Sequence, residues 1–367
     1  MDILLVVIFV FLVMRLLVAA YNYYSRPYLQ PGKSSNDGMV SILIPARNEA
    51  TNMPGLLNSI LEQDISNYEV LVLDDCSTDD TYGIVEGFSR MHPKFTVLRG
   101  KPLADGWLGK NFACWQLAQV ASGKYLIFLD ADVNLSPRLI SSAIHRMQQQ
   151  RLSLLSLFCN QDMQRLGEQI VVPLMNYLLL TLLPIRLISR HLDPIFSAAC
   201  GQFMLFDAES YHCHQWHKQV RAVVAEDLLI MKLIKRNQLK GEGLMANGLM
   251  SCRMYKNYNE AVDGFSKNFI APFNNSIPLF MLFLAIVVLF PLLIFLYAGI
   301  YALGAFALLV VSIRYFTSML SGQPIWRNII LHPLQIGSLL WIGCLAIRRR
   351  TTRSGHWKGR RLSFEQY

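Results

Sequence analysis

The sequence predicts an α/β chain whose sheet is mostly parallel, with transmembrane helices at its N- and C-terminal ends. Three observations predict it. Between residues 39 and 158, short apolar and β-branched runs alternate with segments of helical periodicity, the pattern of a parallel sheet covered by helices on both faces. Apolar residues make up 53% of the chain and charged residues only 16%, against about 25% charged in an ordinary soluble domain. Apolar stretches long enough for a bilayer stand at both ends of the chain.

The first element is an anchor. Residues 3–20 are almost all apolar, with Arg15 as the one charge after Asp2. No Lys/Arg precedes them and no small-residue cleavage site follows, so the segment reads as retained. Tyr21, Tyr23 and Tyr24 come next, as at a membrane interface, and Arg26 and Lys33 place the following domain on the cytoplasmic side by charge bias. The expected organisation is an anchor over 1–24, a cytosolic domain over 25–275, a membrane region over 276–347 and a basic tail over 348–367. Residues 170–185, with Pro173 and Pro184, are short for a span. They predict an interfacial segment at about 168–190, a buried core helix being the alternative.

Within 276–347, residues 277–297 and 329–347 read as spans. Residues 302–319 carry Arg314. The tail holds Arg348, Arg349, Arg350, Arg353, Lys358, Arg360 and Arg361 and belongs in the cytoplasm. An anchor, a cytosolic domain and three further spans would put that tail outside. The expectation is therefore two further spans, with 302–319 irregular or interfacial.

The soluble domain follows in order. Residues 39–44 form a strand ending at Pro45, then Leu56, Leu57, Ile60 and Leu61 recur at helical spacing. Residues 69–73 form a second strand, 81–89 a helix, 95–98 a third strand, 112–120 a helix and 125–129 a fourth strand. Ser136-Pro137 reads as the cap and first residue of another helix, and 153–158 is a fifth strand. Ligands bind beyond the carboxyl ends of such strands. The polar clusters stand there: Pro45 to Glu49 after the first, Asp74-Asp75 after the second, Asp130-Ala131-Asp132 after the fourth.

Composition excludes several classes. The seven cysteines are widely spaced with no CxxC, which argues against a disulfide framework and for a reducing compartment. The net charge of +9 fits anionic headgroups, nucleotide phosphates or the positive-inside bias, but no Lys/Arg run sits in a nucleic-acid module. There is neither GxGxxG nor GxxxxGK[ST], which counts against dinucleotide and P-loop enzymes.

The clusters that remain carry chemistry. Asp130 and Asp132 just past an apolar strand suit Mg²⁺ or Mn²⁺ shared with a diphosphate; a solvated helix-capping turn is the alternative. Asp74 to Asp79 offers acceptors for a base or ribose, or simple caps. Lys110, opening a helix after Gly106 and Gly109, suits a phosphate, or is an exposed turn lysine. Glu226-Asp227 opens another helix and provides a general base, or an acidic first turn favoured by the helix dipole. His212, Cys213, His214 and His217 match no common zinc spacing.

In order and spacing these clusters resemble the family 2 glycosyltransferases, over most of residues 39–270. The similarity is greatest to membrane-bound members that glycosylate lipids, those of carotenoid and hopanoid pathways and, more distantly, ceramide glucosyltransferase. Residues 106–115, Arg253-Met254-Tyr255, residues 264–268 and Trp357-Lys358-Gly359-Arg360 add to it. The resemblance implies a nucleotide-diphospho-sugar transferase (GT-A, Rossmann-like) domain and an inverting, metal-dependent hexosyltransferase. Its donor would be a nucleotide-sugar, commonly a UDP-sugar; its acceptor the hydroxyl or carboxyl of a carotenoid, hopanoid or glycerolipid; its place the cell membrane. It implies a nucleotide pocket lined by Pro45, Arg47 and Glu49, with Asp75 on the base and Lys110 near the diphosphate. It implies Asp130 on ribose or metal and Asp132 on metal. Gly201, Gln202 and Glu226 fall in the acceptor loop, Asp227 is the base, and Arg253 and Lys267 neutralise the leaving diphosphate.

Two departures from the family pattern stand out. QxxRW of processive synthases is replaced by Ser251-Cys252-Arg253-Met254-Tyr255, which favours a single transfer over a polysaccharide synthase. The Gly-Gly-His before the base helix is replaced by Gln215-Trp216-His217. An inactive nucleotide-sugar-binding scaffold would normally have lost one of Asp75, Asp130, Asp132 and Asp227, and none is lost.

Overall fold

β-branched and aromatic runs with both faces covered become continuous buried strands, and the first four expected strands form that way. They are β1 (Val40–Ala46), β2 (Tyr68–Asp74), β3 (Phe95–Arg99) and β4 (Tyr125–Leu129). They are followed by β5 (Val133–Leu135), β6 (Leu154–Phe158), β7 (Asn160–Gln161), β8 (Phe203–Asp207), β9 (Gly241–Met245) and β10 (Met250–Cys252). The computed structural model describes residues 2–33, 38–267, 269–289, 291, 294, 299–352, 356–357 and 360–361. It falls into two units.

The first unit comprises Tyr28–Asn160, Ile188–Cys252 and His356–Tyr367. Its seven-stranded sheet has the order β3-β2-β1-β4-β8-β6-β9. β1 is parallel to β2 and β4, β2 to β3, and β6 to β9. β8 is antiparallel to both of its neighbours. The sheet is thus mostly parallel with one reversed central strand. The order turns back between β1 and β4, which opens a crevice at their carboxyl ends.

One cap differs from expectation. The helix after β5 starts at Leu139 with Arg138 in the cap position. Ser136 and Pro137 precede it, and their carbonyls accept from Leu139 and Asp64 N–H. A tertiary contact claims the turn that the dipeptide signals. Another ion pair was invisible in the sequence: Arg146 donates through Nε and Nη2, each 2.7 Å from a carboxylate oxygen of Glu242 in β9. Such a fork onto a buried carboxylate is the strong geometry for this pair.

The second unit comprises Met1–Pro27, Gln161–Leu187 and Arg253–Gly355. Residues 161–187, most of the segment expected to be interfacial, group here. Pro173 sits in the first turn of the helix Pro173–Leu182, where its missing N–H leaves no bond unmade. The Nδ2 of Asn22 ties the helix Asp2–Ser25 to this segment, donating to the carbonyls of Leu180 and Leu183 at 2.9 Å each. Val171, Leu174, Phe280, Leu284, Leu339 and Ile342 pack in one apolar cluster.

Two helices, Ile3–Ser25 and Ile300–Ser321, are long and apolar enough to cross a membrane by length and composition. Residues 300–321 are therefore one continuous helix, where the sequence suggests an irregular or interfacial piece. Its Arg314, the reason for that expectation, is buried within the unit. The stretch expected to span at 277–297 is helical over Ile277–Leu284 and continues as a π-helix over Ala285–Leu289. Residues 290, 292, 293 and 295–298 of that expected span lie outside the described residues, as do 353–355, 358, 359 and 362–367 of the basic tail.

Candidate active site

The carboxyl ends of β1, β2 and β4 carry the polar clusters into one crevice. After β1, Asn48 has φ +54°, and after β2, Cys76 has φ +55°, both in the left-handed region where Asn is tolerated and Cys uncommon. The two loops lock onto each other. Asn48 Oδ1 accepts from Thr78 N–H at 2.8 Å, and Asn48 N–H donates to Ser77 Oγ at 3.0 Å. Arg47 Nη1 donates to the Asp75 carbonyl at 2.6 Å. Glu49 N–H donates to Thr81 Oγ1 at 2.8 Å. Pro45 lies in β1 opposite Leu73, and the Asp75 N–H donates to the Ala46 carbonyl, which fixes a buried Asp75 at the rim.

Beyond β4, Lys110 gathers the charges. Its Nζ lies 2.8 Å from Asp130 Oδ1, 3.1 Å from Glu226 Oε1 and 3.5 Å from the Gly201 carbonyl. Burial opposes its charge, but Asp130 and then Glu226 more than offset that, so its pKa lies well above the usual lysine value. The Asp227 Oδ2 accepts from Gly201 N–H at 2.9 Å and its Oδ1 from Leu228 N–H at 2.7 Å. Desolvation, with Glu226 adding, pushes the Asp227 carboxyl up to about 7. A carboxylate poised near neutrality beside a cleft can take a proton.

Gly201 admits this packing. A Cβ there would stand 3.0 Å from Lys110 Nζ and 3.2 Å from Glu226 Oε1. Gln202 is buried, and its amide is engaged on both sides. Nε2 is 2.7 Å from Cys252 Sγ, and Oε1 is 2.6 Å from Cys159 Sγ. Its carbonyl accepts from Asp130 N–H at 3.2 Å. Gln202 therefore fixes the turn after β4.

Asp132 bears on metal binding. Desolvation, then Asp130, pushes its carboxyl up to about 6. Its Oδ1 is buried with no hydrogen-bond partner among the described residues. An orphaned carboxylate oxygen two residues from a second carboxylate fits an oxygen-liganded divalent cation. The described residues contain no group of three His, Cys, Asp or Glu side chains able to hold a metal by themselves. A cation here would draw its remaining ligands from a diphosphate and water.

Arg253 and Lys267 lie in the other unit. Arg253 Nη2 is 2.8 Å from the buried Glu168, and Lys267 Nζ is 2.8 Å from Asp263.

Sequence reasoning missed how the helix that carries Asp227 is held. Asn111, fully buried, donates through Nδ2 to the carbonyls of Val220, Val223 and Arg221 at 2.8, 3.0 and 3.3 Å. These carbonyls belong to the turn before the helix Glu226–Arg236. The helix that carries Lys110 thus also clamps the turn that carries Asp227. The signal was present as Asn111 directly after Lys110, where a buried amide must find partners. Gln215 has φ +52°, and its Oε1 accepts from Trp115 Nε1 at 2.9 Å and Gln119 Nε2 at 3.1 Å. Side-chain bonds hold a backbone that glycine adopts freely. His217 is buried and bonded to Tyr211 Oη at 2.7 Å. Burial, with Lys110 adding, lowers its pKa to about 3, so it is neutral.

Similarity to known proteins agrees with this geometry. Residues 41–215 match the model of Glycosyl transferase family 2. A 4,4'-diaponeurosporenoate glycosyltransferase of Staphylococcus haemolyticus is 27% identical over 259 residues, 69% of this chain and 68% of the relative. A protein of the same name from Staphylococcus aureus is 37% identical over 99 residues, 27% of this chain and a quarter (25%) of the relative. Among solved structures, a mannosyltransferase from Pyrobaculum calidifontis, PcManGT, in complex with GDP-Man and Mn²⁺, superposes with a TM-score of 0.59 at 16% identity. That superposition covers 95% of this chain and 96% of the other. It shows a shared fold. With its matched domain at residues 41–215 and these relatives, the chain is a glycosyltransferase, similar to Glycosyl transferase family 2 over just under half of its length.

Proposed function

We propose that the chain is an inverting, single-transfer enzyme that moves a sugar from a nucleotide-sugar, a UDP-sugar by preference, to the hydroxyl or carboxyl of a lipid-like acceptor. The observation that carries this reading is Asp227. Its carboxylate is held by the Gly201 N–H beside the Lys110–Asp130–Glu226 group at the carboxyl edge of the sheet, and it is poised near 7.

The residues divide the work. Pro45, Arg47, Glu49 and Asp75 line and brace the nucleotide pocket, and Asp75 offers a carboxylate to the base. Asp130 and Asp132 would hold Mg²⁺ or Mn²⁺, which when bound neutralises diphosphate charge. Lys110 places a fixed ammonium beside that charge, stabilising it as it develops. Asp227 accepts the proton of an acceptor hydroxyl as its oxygen attacks the anomeric carbon from the face opposite the diphosphate; an acceptor carboxylate would need no such transfer. Gly201 leaves room for the attacking oxygen, Gln202 fixes the turn, and Glu226 tunes Lys110 and Asp227. The resemblance gives Arg253 and Lys267 the leaving diphosphate; each is paired with a carboxylate of its own unit, Glu168 and Asp263.

We read the helical unit as membrane-embedded, with the catalytic unit on the cytoplasmic side. Ile3, Val6, Val10, Met14 and Leu17 are exposed along the first helix, as a lipid-facing stripe requires. The names of the Staphylococcus relatives point to a carotenoid-type acceptor. Detergent-solubilised protein screened with UDP- and GDP-sugars, with Mg²⁺ or Mn²⁺ and with or without lipid extract, tests the proposal. Lipid-dependent nucleotide release with one donor supports it. Folded protein that neither binds nor turns over any donor sinks it.

A further inference from the structure

Cys159, Cys200 and Cys252 are buried thiols of the catalytic unit, and none is in a disulfide. The transfer chemistry described above uses none of them. Their sulfurs converge on one side chain, the buried amide of Gln202. Cys159 Sγ donates to Gln202 Oε1 at 2.6 Å, and Cys200 Sγ lies 3.5 Å from the same oxygen. Gln202 Nε2 donates to Cys252 Sγ at 2.7 Å. Cys252 in turn hydrogen-bonds the carboxylate of Asp132. Cys159 also stands within hydrogen-bonding reach of Cys200 and Cys252.

Strand register brings these groups to one turn from two sides. β10 is antiparallel to β5 with Cys252 opposite Val133, the residue after Asp132. β8 is antiparallel to β4 with Phe203 opposite Leu129, and the Gln202 carbonyl accepts from Asp130 N–H. The bonds therefore run in one direction: Cys159 to Gln202, Gln202 to Cys252, Cys252 to Asp132. The Cys252 sulfur accepts from the amide, which leaves its S–H for the carboxylate. Buried cysteines that served only as small apolar filling would strand the Gln202 amide in the core, at the cost of unmade hydrogen bonds. Here the sulfurs are its partners. Asp132 Oδ1, by contrast, is buried with no hydrogen-bond partner among the described residues.

We propose that Cys252 is a positioning residue for the cation site: its thiol, aimed by Gln202 and Cys159, holds the Asp132 carboxylate so that Oδ1 stays available to a divalent cation. The proposal rests on the reading of Asp132 as a metal ligand. The terminal torsion of an aspartate is soft, so a carboxylate without such a bond turns away from the cation at little cost. Hydrogen bonds to the ligands of a metal are typically worth about 10–100-fold in its affinity. Cys252 touches neither donor nor acceptor in this scheme, and its effect passes through Asp132 alone. Residues 251–255, where the polymerising synthases carry QxxRW, thereby keep a link to the donor side of the site.

The test uses full-length, detergent-solubilised protein and reads Mn²⁺ affinity from the paramagnetic resonance signal of free Mn²⁺, with UDP present and, in a parallel series, GDP. No turnover is needed. Cys252→Ala is expected to weaken Mn²⁺ at least about ten-fold in protein that still melts cooperatively. Cys252→Ser, whose hydroxyl donates the same bond, is expected to stay within about three-fold of wild type. Cys200→Ala, which removes a sulfur that has no bond to Asp132, is expected to leave the affinity unchanged. Wild-type affinity in Cys252→Ala overturns the proposal, and so does an equal loss in Cys252→Ala and Cys252→Ser, which would mean that the site needs the sulfur's bulk and not its bond. Wild-type protein that binds no Mn²⁺ with either nucleotide overturns the metal reading of Asp132, and this proposal with it. If Cys252→Ala does not fold, Gln202→Met decides: it removes the amide that aims the thiol and should weaken Mn²⁺, and an unchanged affinity overturns the proposal.

Discussion

Replacing Asp227 with Asn removes one proton acceptor and changes little else. The amide oxygen keeps an acceptor for either the Gly201 or the Leu228 N–H, both now bound by the carboxylate. Loss of a general base lowers turnover by about 10²–10⁴-fold, so kcat for transfer to a hydroxyl is expected to fall that far while donor affinity stays within about two-fold of wild type. The pH profile sharpens the test. A base at about 7 is roughly nine-tenths ionised at pH 8 and one-tenth at pH 6, so the wild-type rate should fall about nine-fold between them. The Asn variant should show a flat residual rate. Stability moves the other way. Between the ordinary carboxyl value of 3.8 and about 7, the folded chain binds the proton that the unfolded chain has lost, so stability falls as pH rises through that window. Asp227→Asn should therefore melt higher than wild type at pH 8 and no higher at pH 4. Nucleotide release in a coupled assay and melting curves at both pH values decide the matter. Unchanged turnover, a titration that survives in the variant, or a lower melting point at pH 8 would refute the reasoning.

Asp132→Ala should weaken donor binding only where a divalent cation is present, and calorimetry with and without EDTA shows it; identical binding in both would remove Asp132 from the metal site. Asn111→Asp sets a carboxylate against the three carbonyls that the Asn111 amide now serves. Unsatisfied buried groups cost about 1–3 kcal/mol each, so denaturant unfolding should show a loss of at least about 2 kcal/mol together with loss of turnover. Gly201→Ala should lower kcat about ten-fold with a near-normal melting point, because displacing reacting groups by fractions of an ångström suffices. Arg253→Gln removes the cation paired with Glu168 and should lower stability in denaturant unfolding, which a second change, Glu168→Gln, should largely restore. A raised donor KM with an unaltered melting point would instead return Arg253 to the diphosphate.

The strands β1 to β4 were legible because a doubly covered parallel strand is a run of apolar residues between turn signals, and Ile42, Leu43 and Ile44 are such a run. The clusters after them were legible for the same reason: polar residues at the ends of buried strands have few structural uses. β9 was not legible. Gly241-Glu242-Gly243-Leu244-Met245 carries two residues with low strand propensity and a charge. It is a strand because Arg146 neutralises Glu242 and because Ile188 and Phe158 close over Gly243, where a Cβ would stand 3.0 and 3.2 Å from them. The direction of β8 was hidden as well, since Phe203-Met204-Leu205-Phe206 reads alike both ways along a sheet. The helix Ile300–Ser321 was obscured by Arg314, whose burial depends on Tyr177 and His332, distant in sequence.

The reversal of β8 bears on how such a chain changes its chemistry over generations. Phe203, where β8 begins, stands opposite Leu129, where β4 ends. The incoming loop of one strand and the outgoing loop of the other therefore meet at the same rim, though they are far apart in sequence. On the proposed division of roles, residues 40–132 serve the donor and residues 197–236 the acceptor, and the two stretches share no hairpin. A graft of residues 197–236 from a relative with a different acceptor should carry the new acceptor preference with it and leave the donor unchanged. If the graft behaves so, one inverted strand makes the two proposed specificities separately inheritable.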